Sequence, residues 1–132
     1  MDVVRVVPAA PAAAWRLFTD LDTWPRWGPT VTAAERTDGQ GARRLSAGAR
    51  GRVRTPAGVW LPFVVTAFDP GHRWAWRVAG VPATGHRVEP HPGGTRVVFE
   101  VPVLAAPYAL VCRVALARIA ELLVEESGPC DR

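Results

Sequence analysis

Apolar and polar positions alternate in short segments from Thr30 to Pro102, then give way to a repeat of three and four that runs from Ala105 to Glu126. The first pattern predicts strands and the second an amphipathic helix. Upstream, the β-branched run Val3–Val7 reads as a strand ended by Pro8. Pro11 can open a helix that Ala12, Ala13, Ala14, Trp15, Leu17 and Phe18 continue. Asp20 can cap a second short helix, and Pro25 and Pro29 keep it short. Six further strands are expected at Thr30–Arg36, Ala47–Thr55, Val59–Phe68, Arg73–Ala79, Pro82–Glu89 and Thr95–Pro102. The turns between them, such as Asp69-Pro70-Gly71-His72 and Pro90-His91-Pro92-Gly93-Gly94, recur every 8–12 residues. That spacing argues for a meander of antiparallel hairpins. One long helix facing a curved antiparallel sheet leaves a hollow between the two.

The alternation also separates the faces. Trp74, Trp76 and Val78 share one face of their strand, against Arg73 and Arg77. Val97, Phe99 and Val101 oppose Arg96 and Glu100, and His86 and Val88 oppose Arg87 and Glu89. His86 is therefore assigned inward by its strand's pattern rather than by its chemistry. Val59–Phe68 is apolar on both faces, with Pro62 marking a bulge or an edge. The helical stripe is Tyr108, Val111, Cys112, Ala115, Ile119, Leu122 and Leu123, with Leu110, Val114 and Val124 on the far side as a possible partner surface.

This order of elements resembles the START-related (SRPBCC) ligand-binding superfamily, and within it the polyketide cyclase/dehydrase-like group. Val6 and Pro8, then Ala9-Ala10-Pro11, Ala14-Trp15 and Phe18, are similar to the family's opening strand and helix. Asp20 and Leu21 through Trp24-Pro25-Arg26-Trp27 match its Trp-Pro-x-Trp signature. Phe68 to Trp76, Gly85 to Glu89 and Gly93-Gly94-Thr95-Arg96 match the later hairpins. The resemblance implies an α+β helix-grip fold: a curved seven-stranded antiparallel sheet wrapped around a long C-terminal helix, two short helices after strand 1, and a cavity in between. It also implies a bound lipid, sterol, polyketide or hormone. Some members catalyse cyclisation or dehydration; others only carry or sense a ligand.

Length and composition narrow the picture further. At 132 residues the chain fits one domain, expected over 1–127 with a flexible tail at 128–132. A 48% hydrophobic and 21% charged composition is that of a globular protein. No apolar run approaches the roughly 18–20 residues of a membrane span, so no integral membrane association is expected. The start of the chain lacks a basic leader and long apolar core, which points to the cytoplasm and to reduced Cys112 and Cys130. All sixteen basic residues are Arg, as a GC-rich genome would produce. Five of them (Arg43, Arg44, Arg50, Arg52, Arg54) fall between Gly39 and Phe68, where there is no acid. Arg50, Arg52 and Arg54 share one sheet face, read as a solvated outer face that discourages edge pairing. Their use as a partner-binding surface is the alternative. No nucleic-acid motif accompanies them, so nucleic acid is not an expected partner.

The candidate ligand-binding residues are Trp27, Phe63, Trp74, Trp76, His86, Val88, Phe99, Tyr108, Cys112 and Ile119. Aromatic rings supply rigid walls at low entropic cost, although each of them could equally fill a core. His86 is the one candidate for acid–base catalysis; the plainer reading bonds it to Thr84, Tyr108 or water. Cys112, a buried thiol with no cationic neighbour, is a poor nucleophile. Cyclases of this family tend to place an arginine in the cavity, and here every strand arginine alternates outward. His72, His86 and His91 have no spacing that fits zinc, so no metal and no cofactor are expected. The expectation is binding of a small hydrophobic molecule by a monomer or homodimer, with a cyclase or dehydratase using His86 as the alternative.

Overall fold

The computed structural model describes residues 1–39, 43–102 and 108–127. Strand β1 (Asp2–Val7) leads into helix α1 (Pro11–Thr19), a 3₁₀ turn (Leu21–Thr23) and helix α2 (Trp24–Trp27). Strands β2 (Ala33–Arg36), β3 (Arg50–Arg54), β4 (Trp60–Asp69), β5 (Arg73–Val78), β6 (Val81–His91) and β7 (Gly94–Glu100) follow, then helix α3 (Ala109–Ser127). The strands form one antiparallel sheet in the order β1-β7-β6-β5-β4-β3-β2. It is the helix-grip architecture. The expected helix start at Ala105 and the tail at 128–132, with Cys130, lie outside the described residues.

Local chemistry sets the α1–α2 corner. Pro11 occupies the first turn of α1, where its missing N–H costs nothing. Asp20 ends α1 and caps the 3₁₀ turn, its carboxylate accepting from the Asp22 N–H at 3.0 Å. The Trp-Pro-x-Trp segment then folds back. The Trp24 indole donates to the Phe18 carbonyl and the Trp27 indole to the Leu17 carbonyl, both at 3.0 Å. These indoles satisfy carbonyls at the end of α1 that have no partner within the helix. Both side chains are buried by the same contacts.

Alternation holds along the sheet, with differences at its irregular points. In β4, Phe63 and Val65 are buried and Trp60 and Pro62 exposed, which settles the face that the pattern left open. Pro62 is neither a bulge nor on an edge: it faces outward opposite Arg52, in a strand paired on both sides. The register shifts instead between Val65 and Ala67 in β4 and between Ala75 and Arg77 in β5. Both irregularities fall at Trp76 and bend the sheet there. β5 ends at Val78 rather than Ala79, because Ala79 and Gly80 both have positive φ and form the two-residue turn into β6. Phe63 lies over Gly51, where a Cβ would come within 2.6 Å of its ring.

Helix α3 packs mainly against β1, α1 and α2, at one side of the concave face. Cys112, Ala115, Leu116, Ile119, Ala120 and Leu123 are its buried side chains. Farther along the concave surface, Val53, Leu61, Val78 and Val81 border a pocket instead. That offset is what opens a hollow.

Candidate functional site

The hollow has two parts. An inner chamber of about 40 Å³ lies among Trp24, Trp27, Trp74, Trp76, His86 and Phe99, roofed by Tyr108, Val111 and Ala115 of the α3 region. An outer pocket of about 340 Å³ is lined by Val53, Leu61, Val78, Val81, Pro82 and Ala83, with Thr55 and Pro102 at its margins. Thr30, Val31, Trp76, Thr84 and Tyr108 border both. The Thr30 hydroxyl and Tyr108 phenol are hydrogen-bonded at 2.8 Å, tying the loop after α2 to the start of α3.

The floor of the inner chamber is an aromatic stack. Trp24 lies parallel to Trp74, with planes 3° apart and centroids at 5.6 Å. His86 covers the Trp74 ring at 3.9 Å and 16°. Phe18 and Phe99 meet His86 edge-on at 5.3 and 5.2 Å. Cross-strand pairing of Trp74 with His86 produces the contact between their rings.

Polar groups within this stack form a short relay. The Trp76 indole donates to the Thr84 hydroxyl oxygen at 3.3 Å, and Thr84 Oγ1 lies 3.1 Å from His86 Nε2. An indole can only donate, so Thr84 accepts there and has its own proton to give to Nε2. Thr84 can give that proton to Nε2 or accept one from it, so this hydrogen bond joins the two side chains under either neutral tautomer. Burial holds the imidazole's pKa down to about 3, although the nearby Trp74 carbonyl pulls the other way. His86 is thus uncharged at neutral pH. Its Nδ1 and the Trp74 Nε1 are buried and have no hydrogen-bond partner among the described residues.

The ten candidates divide between chamber and core. Trp27, Trp74, Trp76, His86, Phe99 and Tyr108 line the inner chamber, and Trp76 and Tyr108 also reach the outer pocket. Phe63, Val88, Cys112 and Ile119 are buried and border neither space. Burial pushes the Cys112 thiol up to about 11, so it stays protonated. Sequence reasoning passed over Trp24, Leu61 and the Val81–Ala83 segment, but it did name Thr84 as a partner for His86. Trp24 was legible from its signature. The segment was not, because it lines the pocket only through the irregular pairing opposite Trp76.

Among the described residues, no charged side chain lines either space. Two of the outer arginines have other contacts: Arg52 pairs with Glu35 and lies over the Trp60 ring at 4.1 Å, and Arg43 pairs with Asp22. Arg73 and Arg87 clamp Glu100, which lies across Gly85 on the convex face. Among the described residues, no group of three His, Cys, Asp or Glu side chains could hold a metal, and no helix is long and apolar enough to cross a membrane.

The family model for polyketide cyclase / dehydrase and lipid transport proteins matches residues 1–126. The chain belongs to this family. No curated protein matches it. Solved structures show the same fold at low identity. Protein MLL2253 of Mesorhizobium loti superposes with a TM-score of 0.74 at 13% identity, covering 96% of this chain and 97% of that one. An AHSA1-like protein of Aeromonas hydrophila gives 0.67 at 18% identity, covering 97% and 93%. DynU16, from the dynemicin biosynthetic locus, gives 0.67 at 20%; the match covers 97% of this chain but 47% of DynU16. At these identities a polyketide cyclase/dehydrase family member shares architecture with its relatives, and its chemistry rests on its own side chains.

Proposed function

We propose that this family member binds a small hydrophobic molecule between the sheet and the start of α3, and that residues 1–127 act as one ligand-binding domain. The observation that carries this reading is the outer pocket: about 340 Å³, bounded almost wholly by apolar side chains, and continuous with an aromatic floor. A ligand that buries roughly 200 Å² of apolar surface there gains about 5 kcal/mol before the entropic cost of association. Trp76 and Tyr108 are the rigid walls that such a ligand meets first.

Binding is favoured over catalysis. A general acid or base works best with a pKa near the operating pH, and burial holds His86 far below it. Among the described residues, the arginine that would polarise a carbonyl in a cyclase has no counterpart in either lining. A docking role for the β3 arginines is weakened at Arg52, which already faces Glu35 and the Trp60 ring.

Native mass spectrometry of the purified chain, looking for a co-purifying small molecule, tests the reading directly. Titration with a panel of aromatic and polycyclic hydrophobes should change the tryptophan fluorescence, because Trp74 and Trp76 border the site. A flat response across the panel, with no co-purifying mass, overturns it.

A further inference from the structure

Strand β1 closes one end of the sheet, and among the described residues nothing pairs with its outer edge. The Met1 amine donates to the Val101 carbonyl at 3.0 Å, and the Val101 N–H returns a bond to the Met1 carbonyl at 2.8 Å. In an antiparallel ladder this phase ties Met1, Val3, Arg5 and Val7 to β7 and turns the N–H and C=O groups of Asp2, Val4 and Val6 outward. Edge strands are ordinarily kept short, bulged or interrupted by proline. β1 runs for 6 residues in unbroken register with none of these devices. Val4 and Val6 are exposed on its convex side. Beside the edge, a groove of about 410 Å³ separates residues 1–5 from one flank of α3, formed by Ala109, Arg113 and Leu116. Arg5 and Arg113 are exposed in this groove, and neither makes a salt bridge among the described residues. The one acid in the lining, Asp2, pairs with Arg87.

We propose that the β1 edge and the adjoining flank of α3 form a second binding site, which takes an extended, acidic segment of a partner protein as a further antiparallel strand of the sheet. The segment's backbone bonds the outward N–H and C=O groups of Asp2, Val4 and Val6. Alternation divides its side chains between two surroundings. Those on the convex side cover Val4 and Val6 and are apolar. Those on the opposite side meet Arg5 and Arg113 in the groove and are carboxylates. Charge selects this occupant over a second copy of the chain. Pairing β1 with itself about a two-fold axis brings the Arg5 side chains of both copies close together on one face, where like charges repel.

The probe is the capped peptide acetyl-Val-Glu-Val-Glu-Val-amide, with acetyl-Val-Lys-Val-Lys-Val-amide as its charge-reversed twin. In NMR titrations at neutral pH and low salt, the Glu peptide should bind roughly tenfold or more tightly than the Lys peptide, as two charge-assisted contacts imply. Methylating the valine nitrogens, which point at β1 in this register, should abolish binding. Methylating the glutamate nitrogens, which point away, should not. Amide exchange at Val4 and Val6 should be fast in the free chain and slow with the Glu peptide bound. Arg5→Glu should reverse the preference between the two peptides, and it should leave the binding of an outer-pocket hydrophobe such as 2-acetylnaphthalene unchanged. Arg113→Glu is the second variant should the first fail to fold. Equal binding of the two peptides, no binding of either at millimolar concentration, or tolerance of valine N-methylation overturns the site. Slow exchange at Val4 and Val6 in the free chain also overturns it, because the edge is then already covered by a second copy or by the chain itself.

Discussion

His86 lies flat on Trp74, with centroids 3.9 Å apart and planes 16° from parallel, although the two residues are twelve positions apart in sequence. This stack buries an imidazole that would otherwise titrate near 6.5 and holds it neutral down to about 3. Between those values the unfolded chain binds a proton that the folded chain refuses. The stability that His86 contributes as a neutral ring is therefore complete above about pH 6.5 and is lost as pH falls toward 3. Chemical denaturation from pH 7 downward should show an added slope approaching about 1.4 kcal/mol per pH unit in that window. His86→Phe, which keeps a ring on Trp74, should remove this slope. An unchanged slope would place the acid sensitivity elsewhere.

Glu100 should act in a lower window. The Arg73 guanidinium, hydrogen-bonded to its carboxylate, holds its pKa below the usual 4.5, with Arg87 adding to the effect. A lowered carboxylate pKa stabilises the fold above the unfolded value and loses that contribution as pH falls through the folded one. Acid-unfolding curves of Glu100→Gln should therefore be flatter than the parent's only below about pH 4.5. A difference that persists unchanged at lower pH would assign the effect to packing rather than charge.

Filling the outer pocket separates binding from folding. Ala83 lines it on β6 and is not fully buried, so a larger side chain can enter the void without displacing the aromatic stack. Ala83→Trp should weaken binding of 2-acetylnaphthalene by tenfold or more, about 1.4 kcal/mol, with a melting temperature close to the parent's. Undiminished affinity in a folded variant would move the ligand out of this pocket.

The β5–β6 turn carries strain that can be relieved. Ala79 has φ of 52°, the left-handed region that penalises a Cβ, and it precedes Gly80 at 79°. Asn tolerates this conformation better, and Asn-Gly is the favoured pair for such a turn. Ala79→Asn should stabilise the chain by about 0.5–1 kcal/mol, a rise of a few degrees in melting temperature. No gain, or a loss, would show that the turn is held by its surroundings at no cost.

Much of this was legible in the residues themselves. Period-two alternation assigned Trp74, Trp76, His86, Val88, Val97 and Phe99 to one face, and the structure buries or half-buries all of them there. The Trp-Pro-x-Trp segment announced a bent helical corner, and periodicity found most of the buried stripe of α3, though it omitted Leu116 and Ala120. It could not separate the residues that wall the chamber from those that close the core. Phe63 and Trp76 share a face and a chemical type, yet Phe63 packs into the space above Gly51 and only Trp76 borders the hollow.

The order of apolar, polar and turn residues determined by itself the strand and helix sequence, the inward faces and the convex arginines, because those follow from backbone periods of two and 3.6. The tertiary structure alone decided where the hollow lies, how deep it runs and which side chains border it. Those depend on α3 resting over β1 rather than centrally, on the sheet bending at Trp76, and on Trp24 stacking beneath Trp74. Each is a meeting of side chains distant along the chain, which no local pattern encodes.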